Sequence, residues 1–422
     1  MTTRNRFDTL HGFANERSKL IDDSSKRPLY SMRALLKLAI GLVTSALIAS
    51  CSTHDAISVV TSGDPEAAAK AILRHKEAAY KQNPTLLVQD VKRARKQFRQ
   101  LVAFFRKEVG KEWGADEVLV PSRKRYVKYM QNYKSRAVVD FDTGAIKVET
   151  LDLRDASLRS AIVTTLLTPN DPRSVDLYSD KPVKLTGKPY LYGLVVDHKN
   201  RPIGGPKRAE GYAEYLITNL RHERVIKTGD GTKLSRYVQF KMIPGHVSRQ
   251  AARYERDVKH FSDKYRVSKS LVFAVIKTES NFNPFAVSHA PAYGLMQLVP
   301  ASGGREAFRA VRGVDAIPTR EYLFNARNNI ELGTAYLGVI DQRYLVAIQN
   351  PVSREYCTIA AYNGGSRNVL RVFSDDRKRA VDIINGLSPA TVYRKLRDHH
   401  PRQETRRYLV KVLDARKTFA NI

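Results

Sequence analysis

The hydrophobic pattern changes period along the chain, and each change marks a different kind of element. Near the amino end, Leu38 to Ser50 (LAIGLVTSALIAS) is an uncharged apolar run, led in by Ser31-Met32-Arg33 and Lys37. A bilayer span takes about 20 apolar residues, so a run this short has the length of a signal-peptide core. From Glu66 the spacing turns helical. Val88, Val91, Phe98, Leu101, Val102 and Phe105 recur on one face, with Lys92, Arg93, Arg95, Lys96, Arg99 and Arg106 over much of the rest. That basic face reads either as solvated or as lying on anionic lipid or wall polymer.

From Tyr126 the period shortens. Ala137–Phe141 and Ala145–Thr150, joined through Asp142-Thr143-Gly144, predict a β-hairpin. Asp140-x-Asp142 is similar to the start of a calcium loop, but the remaining ligands are missing and a turn is expected. Ser157 to Leu167 reads as a short helix, and Tyr190–Val196 and Arg236–Met242 as two further strands. These elements predict a small α+β domain over about 71–245, preceded by a polar tether at 52–70.

From His246 to the end, 246–422, the pattern is helical again. His246 to about Lys264 is a polar helix. Ser268 is placed to cap the next one, whose run Leu271–Ile276 leads to Glu279. Gly303-Gly304 is expected to break the chain. Asn328–Leu337 opens a helix with Ile330, Gly333, Leu337 and Ile340 on one face, where the small Gly333 would let another backbone come close. Thr358–Gly365 is expected to end at Gly364 as a C-cap.

Charge and cysteines narrow the function classes. Lys and Arg outnumber Asp and Glu by 72 to 42, a net +30 that predicts attraction to polyanions. An export signal removes nucleic acid from the candidates and leaves anionic lipid or an acidic wall polymer. Leu47-Ile48-Ala49-Ser50-Cys51 resembles a bacterial lipobox, with Cys51 acylated as the first mature residue; an ordinary secretory signal is the alternative. Ser52 in place of Asp then suggests sorting to the outer membrane, facing the periplasm. Residues 1–51 are thus a signal region, and the polar stretch Met1–Tyr30 suggests that translation starts at Met32. With Cys51 lipidated, Cys357 has no intramolecular partner, and its apolar helical setting predicts a buried small hydrophobe. Neither zinc-ligand nor Cys-x-x-Cys spacing occurs, so no metal or other cofactor is expected.

The candidate chemistry lies at Glu279. Val272, Val275, Ile276 and Glu279 share a helical face, so the carboxyl ends a helix on its apolar side. Lost solvation there should raise its pKa and keep it protonated near neutral pH, as a general acid requires. An ordinary ion pair with Lys277 or an Arg is the plainer alternative.

Glu279-Ser280, the spaced Ser288 and Gly294-Leu295-Met296-Gln297 together resemble the signature of the lytic transglycosylase family, which has a goose-lysozyme-like helical fold. Asn328–Leu337, Ala361-Tyr362-Asn363 and Glu404–Tyr408 match its later motifs in order. Trp113-Gly114, Tyr126–Tyr129, the hairpin and Asp171–Asp180 resemble the amino-terminal domain of the membrane-bound lytic murein transglycosylase C family. The resemblance implies an α+β chain: a lysozyme-like, mainly helical catalytic domain preceded by the small α+β domain. It also implies a carbon–oxygen lyase of the exo-acting kind, although the residues themselves do not distinguish chain-end from internal cleavage.

Glu279 is then the catalytic acid. Ser288 and Gln297 would bond the sugar's N-acetyl and hydroxyl groups, Gly294 would let backbone approach the ring, and Met296 would pack on an apolar face. Tyr362 and Tyr408 would orient the acid or stabilise the cation, and Asn363 would hold the loop. No second carboxylate lies between Ser280 and Arg305. Two-carboxylate glycoside hydrolysis therefore lacks a partner in the motif. One acid suffices if N-acetylmuramic acid supplies its own C6 hydroxyl, closing a 1,6-anhydro ring. The rivals are a lysozyme-type hydrolase and an inactive wall-binding lipoprotein. Expected partners are peptidoglycan glycan strands, outer-membrane lipid through Cys51, and other cell-wall enzymes.

Overall fold

The computed structural model describes residues 84–420, with side chains from Lys92 onward. The lipobox with Cys51 and the tether therefore lie outside the described residues, as do the side chains of Val88 and Val91. Helix α1 (Pro84–Trp113) buries Phe98, Phe105, Val109 and Trp113 and turns Lys92, Arg95, Lys96 and Arg99 to solvent. Among the described residues no helix is long and apolar enough to cross a membrane.

Five strands follow: β1 (Arg125–Met130), β2 (Ser135–Asp140), β3 (Ala145–Thr150), β4 (Arg221–Thr228) and β5 (Gly231–Lys241). They pair antiparallel in the order β1-β2-β3-β5-β4. The expected hairpin is β2–β3. Asp140 Oδ1 accepts from the amides of Asp142 and Thr143, and Gly144 takes a φ of 71° that a side chain would strain. One face of β3 carries Ile146 and Val148 into the core, opposite Phe240 and Val238 of β5. The other face carries Glu149, buried beside Arg136 of β2. Helices α2 (Asp155–Leu167) and α3 (Pro206–Leu220) pack on the sheet.

One expectation about strands needs correction, and one strand was not expected. Tyr190–Val196 is not a strand but a series of tight turns, with Gly193 at φ 73° and Leu194 N donating to Leu191 O. Its apolar side chains are buried by turning inward, not by sheet alternation. Strand β4 escapes the pattern altogether because it is a largely exposed, charged edge.

The carboxy-terminal helices are α4 (His246–Tyr265), α5 (Lys269–Ser280), α6 (Arg305–Arg312), α7 (Arg320–Phe324), α8 (Ala326–Val339), α9 (Pro351–Gly364), α10 (Ser366–Arg371), α11 (Arg377–Asn385), α12 (Pro389–His399) and α13 (Gln403–Lys417). Helix α5 is apolar nearly all round and sits inside this bundle, with α13 and α4 against it.

Local expectations shift by small amounts. Ser268 stands at the N-cap of α5, but its hydroxyl pairs with Ser270 Oγ and caps no amide. Gly303 and Gly304 do not break the chain. They sit in a wide helical turn (Pro300–Gly304) running into α6, where a Cβ would meet the Tyr336 ring or Val299 O. Gly333 admits the Met296 side chain rather than a backbone. Helix α9 includes Gly364, and the positive φ falls one residue later, at Gly365. Cys357 is buried and free, and burial pushes its thiol up to about 12.

The sheet core does not stop where the helices begin. Phe285, just after the Glu279 helix, lies 4.9 Å from the Tyr126 ring and 5.0 Å from the Tyr190 ring. The loop that follows the acid is thus cast against the amino-terminal sheet.

Candidate active site

Helix α5 buries Leu271 through Ile276 and presents Glu279 in its last turn, only 5% exposed. Ser280 Oγ donates to Ile276 O and to Leu295 O, joining the end of the helix to the Gly294–Gln297 turn. Asn281 and Phe282 then take left-handed φ values of 47° and 63° and reverse the chain. Asn281 Nδ2 donates to Phe141 O at 2.5 Å, and Asn283 Nδ2 to Arg123 O at 3.1 Å. Both acceptors belong to the sheet region.

The Gly294–Gln297 turn is held from below by Asn329 of α8. Its Nδ2 donates to Tyr293 O and Leu323 O, and its Oδ1 accepts from Met296 N. From α9, Tyr362 donates its hydroxyl to Met296 O at 2.9 Å. Thr405 Oγ1 of α13 donates to Asn363 Oδ1 at 2.6 Å, tying α13 to the end of α9. Tyr408 of α13 is buried with its hydroxyl beside the Glu279 carboxyl, near enough to favour the carboxylate but outside ideal hydrogen-bond geometry.

Burial pushes the Glu279 carboxyl up to about 7, opposed by Arg123 and by the Tyr408 hydroxyl and assisted by Glu404. Burial also raises both tyrosine hydroxyls well above their usual value, and the neighbouring Glu279 charge adds to it. Arg123 Nη1 lies 3.4 Å from Glu279 Oε2 and 3.7 Å from Glu404 Oε1. A buried carboxyl that keeps its proton near neutrality, flanked by the buried Tyr408, the half-buried Tyr362 and one half-solvated arginine, is suited to donating a proton.

The chain is similar to known proteins over most of its length. Residues 91–253 match the family described as membrane-bound lytic murein transglycosylase C, N-terminal domain, and residues 258–385 match the transglycosylase SLT domain. The membrane-bound lytic murein transglycosylase C of Serratia proteamaculans is 45% identical over 325 residues, which cover 76% of this chain and 89% of that protein. The chain belongs to the membrane-bound lytic murein transglycosylase C family. The Klebsiella pneumoniae (strain 342) relative of the same name is 43% identical over the same shares. A lytic transglycosylase Slt structure from Pseudomonas aeruginosa aligns over 39% of this chain and 23% of its own, at 26% identity and a TM-score of 0.30. That likeness is too partial to carry an argument.

Within this member of the family, the residues expected at the site divide into two groups. Glu279, Tyr362 and Tyr408 come together. The others are engaged in holding the fold. Ser288 spends its hydroxyl within its own loop, donating to Ala290 O and accepting from Ala292 N. Gly294, at φ 76°, leaves out a Cβ that would strike Asn329 and Leu323 O. Met296 is fully enclosed against Gly333, so in this structure its side chain offers no face to a sugar. Gln297 donates to Ala286 O and Gly294 O, while its Oε1 is buried without a partner.

Sequence reading missed Arg123, Glu404, Asn281, Asn283 and Asn329. For Asn329 a signal existed, since it lies inside the Asn328–Leu337 motif. Glu404 also stood in a quoted motif, but nothing in its spacing places it beside Glu279. Arg123 lies 156 positions before its partner, and only the fold unites them.

Proposed function

We propose that this chain cleaves the β-1,4 bond between N-acetylmuramic acid and N-acetylglucosamine in peptidoglycan without water, leaving 1,6-anhydro-N-acetylmuramic acid ends. The observation that carries the reading is Glu279: 5% exposed at a helix end, with its carboxyl raised by burial to about 7. Protonated, it gives its proton to the glycosidic oxygen as the C1–O bond breaks. The muramyl N-acetyl oxygen supports the cation at C1. Glu279, now a carboxylate, takes the proton from the C6 hydroxyl as O6 bonds to C1, which returns the acid to its starting state. Tyr408 and Tyr362 support the carboxyl in both states. Ser288 and Gln297 are the proposed contacts to the sugar's polar groups. Backbone at Gly294 and Met296 would line the same wall, and Asn363 would keep α13 in place.

Glu404 favours a second reading. Its carboxylate and that of Glu279 flank one Arg123 nitrogen, so the two are at most about 7 Å apart, a separation at which a hydrolase could place a water. Mass spectrometry of purified peptidoglycan digested by the protein separates the two. Anhydro-ended products, absent with Glu279→Gln, support the lyase; reducing ends support hydrolysis with Glu404 as base.

We further propose acylation at Cys51, an outer-membrane location facing the periplasm, and other cell-wall enzymes as partners. The division at 245/246 into a small α+β domain and a catalytic domain is likewise our reading. Metabolic labelling with palmitate, lost in Cys51→Ala, tests the anchor.

A further inference from the structure

The cation beside the acid comes from outside the catalytic helices. Arg123 precedes β1, and its backbone is fixed on the acid's own loop. Its carbonyl accepts from Asn283 Nδ2, Phe141 N donates to Lys124 O next to it, and Ser122 N donates to Arg125 O. Its side chain, 42% exposed, places one guanidinium nitrogen between Glu279 Oε2 and Glu404 Oε1.

Arginine can only donate hydrogen bonds. A carboxyl oxygen that accepts from it is therefore the oxygen without the proton. We propose that Arg123 is a positioning residue for Glu279: by donating to Oε2 it keeps the acidic proton on Oε1, and it makes the amino-terminal sheet part of the active site. The proposal rests on Glu279 being the acid. At 3.4 Å the bond is at the long end of the hydrogen-bond range. It sets direction without forcing the carboxyl to ionise.

The charged and titratable groups around Glu279 are few. Arg123 faces it from the sheet side, Glu404 and Tyr408 from α13, and Tyr362 from α9. Lys277 on its own helix turns away to Thr418 Oγ1. On α4, His246 and Arg253 are engaged with the carbonyls of Phe141 and of Tyr190 and Tyr192. Arg123 is thus the group whose removal leaves the carboxylate without a cation among these neighbours. A positive charge favours the carboxylate, so its loss must raise the pH at which Glu279 ionises.

The test uses the full chain, soluble glycan strands and the variants Arg123→Gln, Arg123→Lys and Glu404→Gln. Arg123→Gln should lower kcat about tenfold while KM stays within about twofold. It should also move the alkaline limb of kcat/KM up by about one pH unit. Arg123→Lys, which keeps the charge, should return the limb most of the way. Glu404→Gln removes a neighbouring negative charge on an exposed side chain and should move the limb the opposite way. If Arg123→Gln does not fold, Arg123→Met, which keeps the aliphatic stem and removes the charge, is read in its place. Loss of rate with the limb unmoved in every variant would make Arg123 a structural join and overturn the proposal. A 13C-NMR titration of the Glu279 carboxyl in the same variants needs no turnover. If Glu279→Gln remained active, the acid assignment would fall, while the titration would still report whether Arg123 holds that carboxyl.

Discussion

Two buried glutamates, one in each half of the molecule, are driven in opposite directions. Glu149, on the inner strand β3, is 1% exposed, and Glu279, at the end of α5, is 5% exposed. Burial alone pushes both carboxyls up. At Glu149, bonds from Arg224, Arg136 and Lys147 outweigh burial and hold the carboxyl down at about 2. Ser235 completes the ring, and Arg136 also lies 3.9 Å above the Trp113 ring. At Glu279 one half-solvated arginine at 3.4 Å is too little, and burial wins. Depth in the protein does not by itself make an acid; the number and solvation of the cations around it decide. The first site serves stability and the second is fit for chemistry.

The comparison can be broken at either glutamate. The largest effect is expected on activity. Glu279→Gln should lower turnover about a thousandfold, as loss of a general acid–base does, with the fold intact by circular dichroism. Comparable turnover would remove Glu279 from the mechanism. Next, Glu149→Ala leaves the buried Arg136 with Glu117 as its one remaining carboxylate partner and should cost about 3 kcal/mol in denaturant unfolding, the low end for breaking a buried pair. A change within about 0.5 kcal/mol would mean that the ring at Glu149 contributes little.

The pH dependence of stability should differ in sign between the two. Glu279 titrates near 7 when folded and near 4.5 when unfolded, so its contribution is full below about 4.5 and is lost as pH rises through 7. Glu279→Gln should therefore gain on the wild type by about 3 kcal/mol between pH 4.5 and 8. Glu149, lowered to about 2, contributes above 4.5 and loses that contribution as pH falls toward 2. Equal pH dependence in the wild type and Glu279→Gln would contradict the raised value. The smallest effect is expected at Tyr408. Tyr408→Phe removes a hydroxyl that favours the carboxylate, and should slow turnover about tenfold and slightly raise the pH at which Glu279 ionises. Steady-state kinetics across pH would measure both.

Much of this was legible in the chain before any fold was known. The α+β class, the β2–β3 hairpin and helix α5 with its buried carboxyl follow from period and turn chemistry. Short-range pattern fails where burial is reached by other means. Tyr190–Val196 is an apolar run like a buried strand's yet folds as turns, because Leu191, Leu194 and Val195 are buried around Gly193. β4 has no apolar stripe to announce it. Met296 and Gly294 carry the family's motif, but their immediate reasons are Gly333, Asn329 and Leu323 O, contacts that lie up to 37 positions away in the chain. Arg123 is the extreme case, since a solvated arginine in a basic chain has no local mark. Its role is created by Asn283, which fastens the strand's approach to the acid's loop.

The most direct measurement is a 13C-NMR titration of the glutamate carboxyls in the wild-type protein, with Glu279 and Glu149 assigned by their Gln variants. The account predicts a midpoint near 7 for Glu279, and for Glu149 no protonation above about 3 while the fold persists. A Glu279 midpoint at the ordinary 4.5 would contradict it, and would leave the buried carboxyl as one more ion pair.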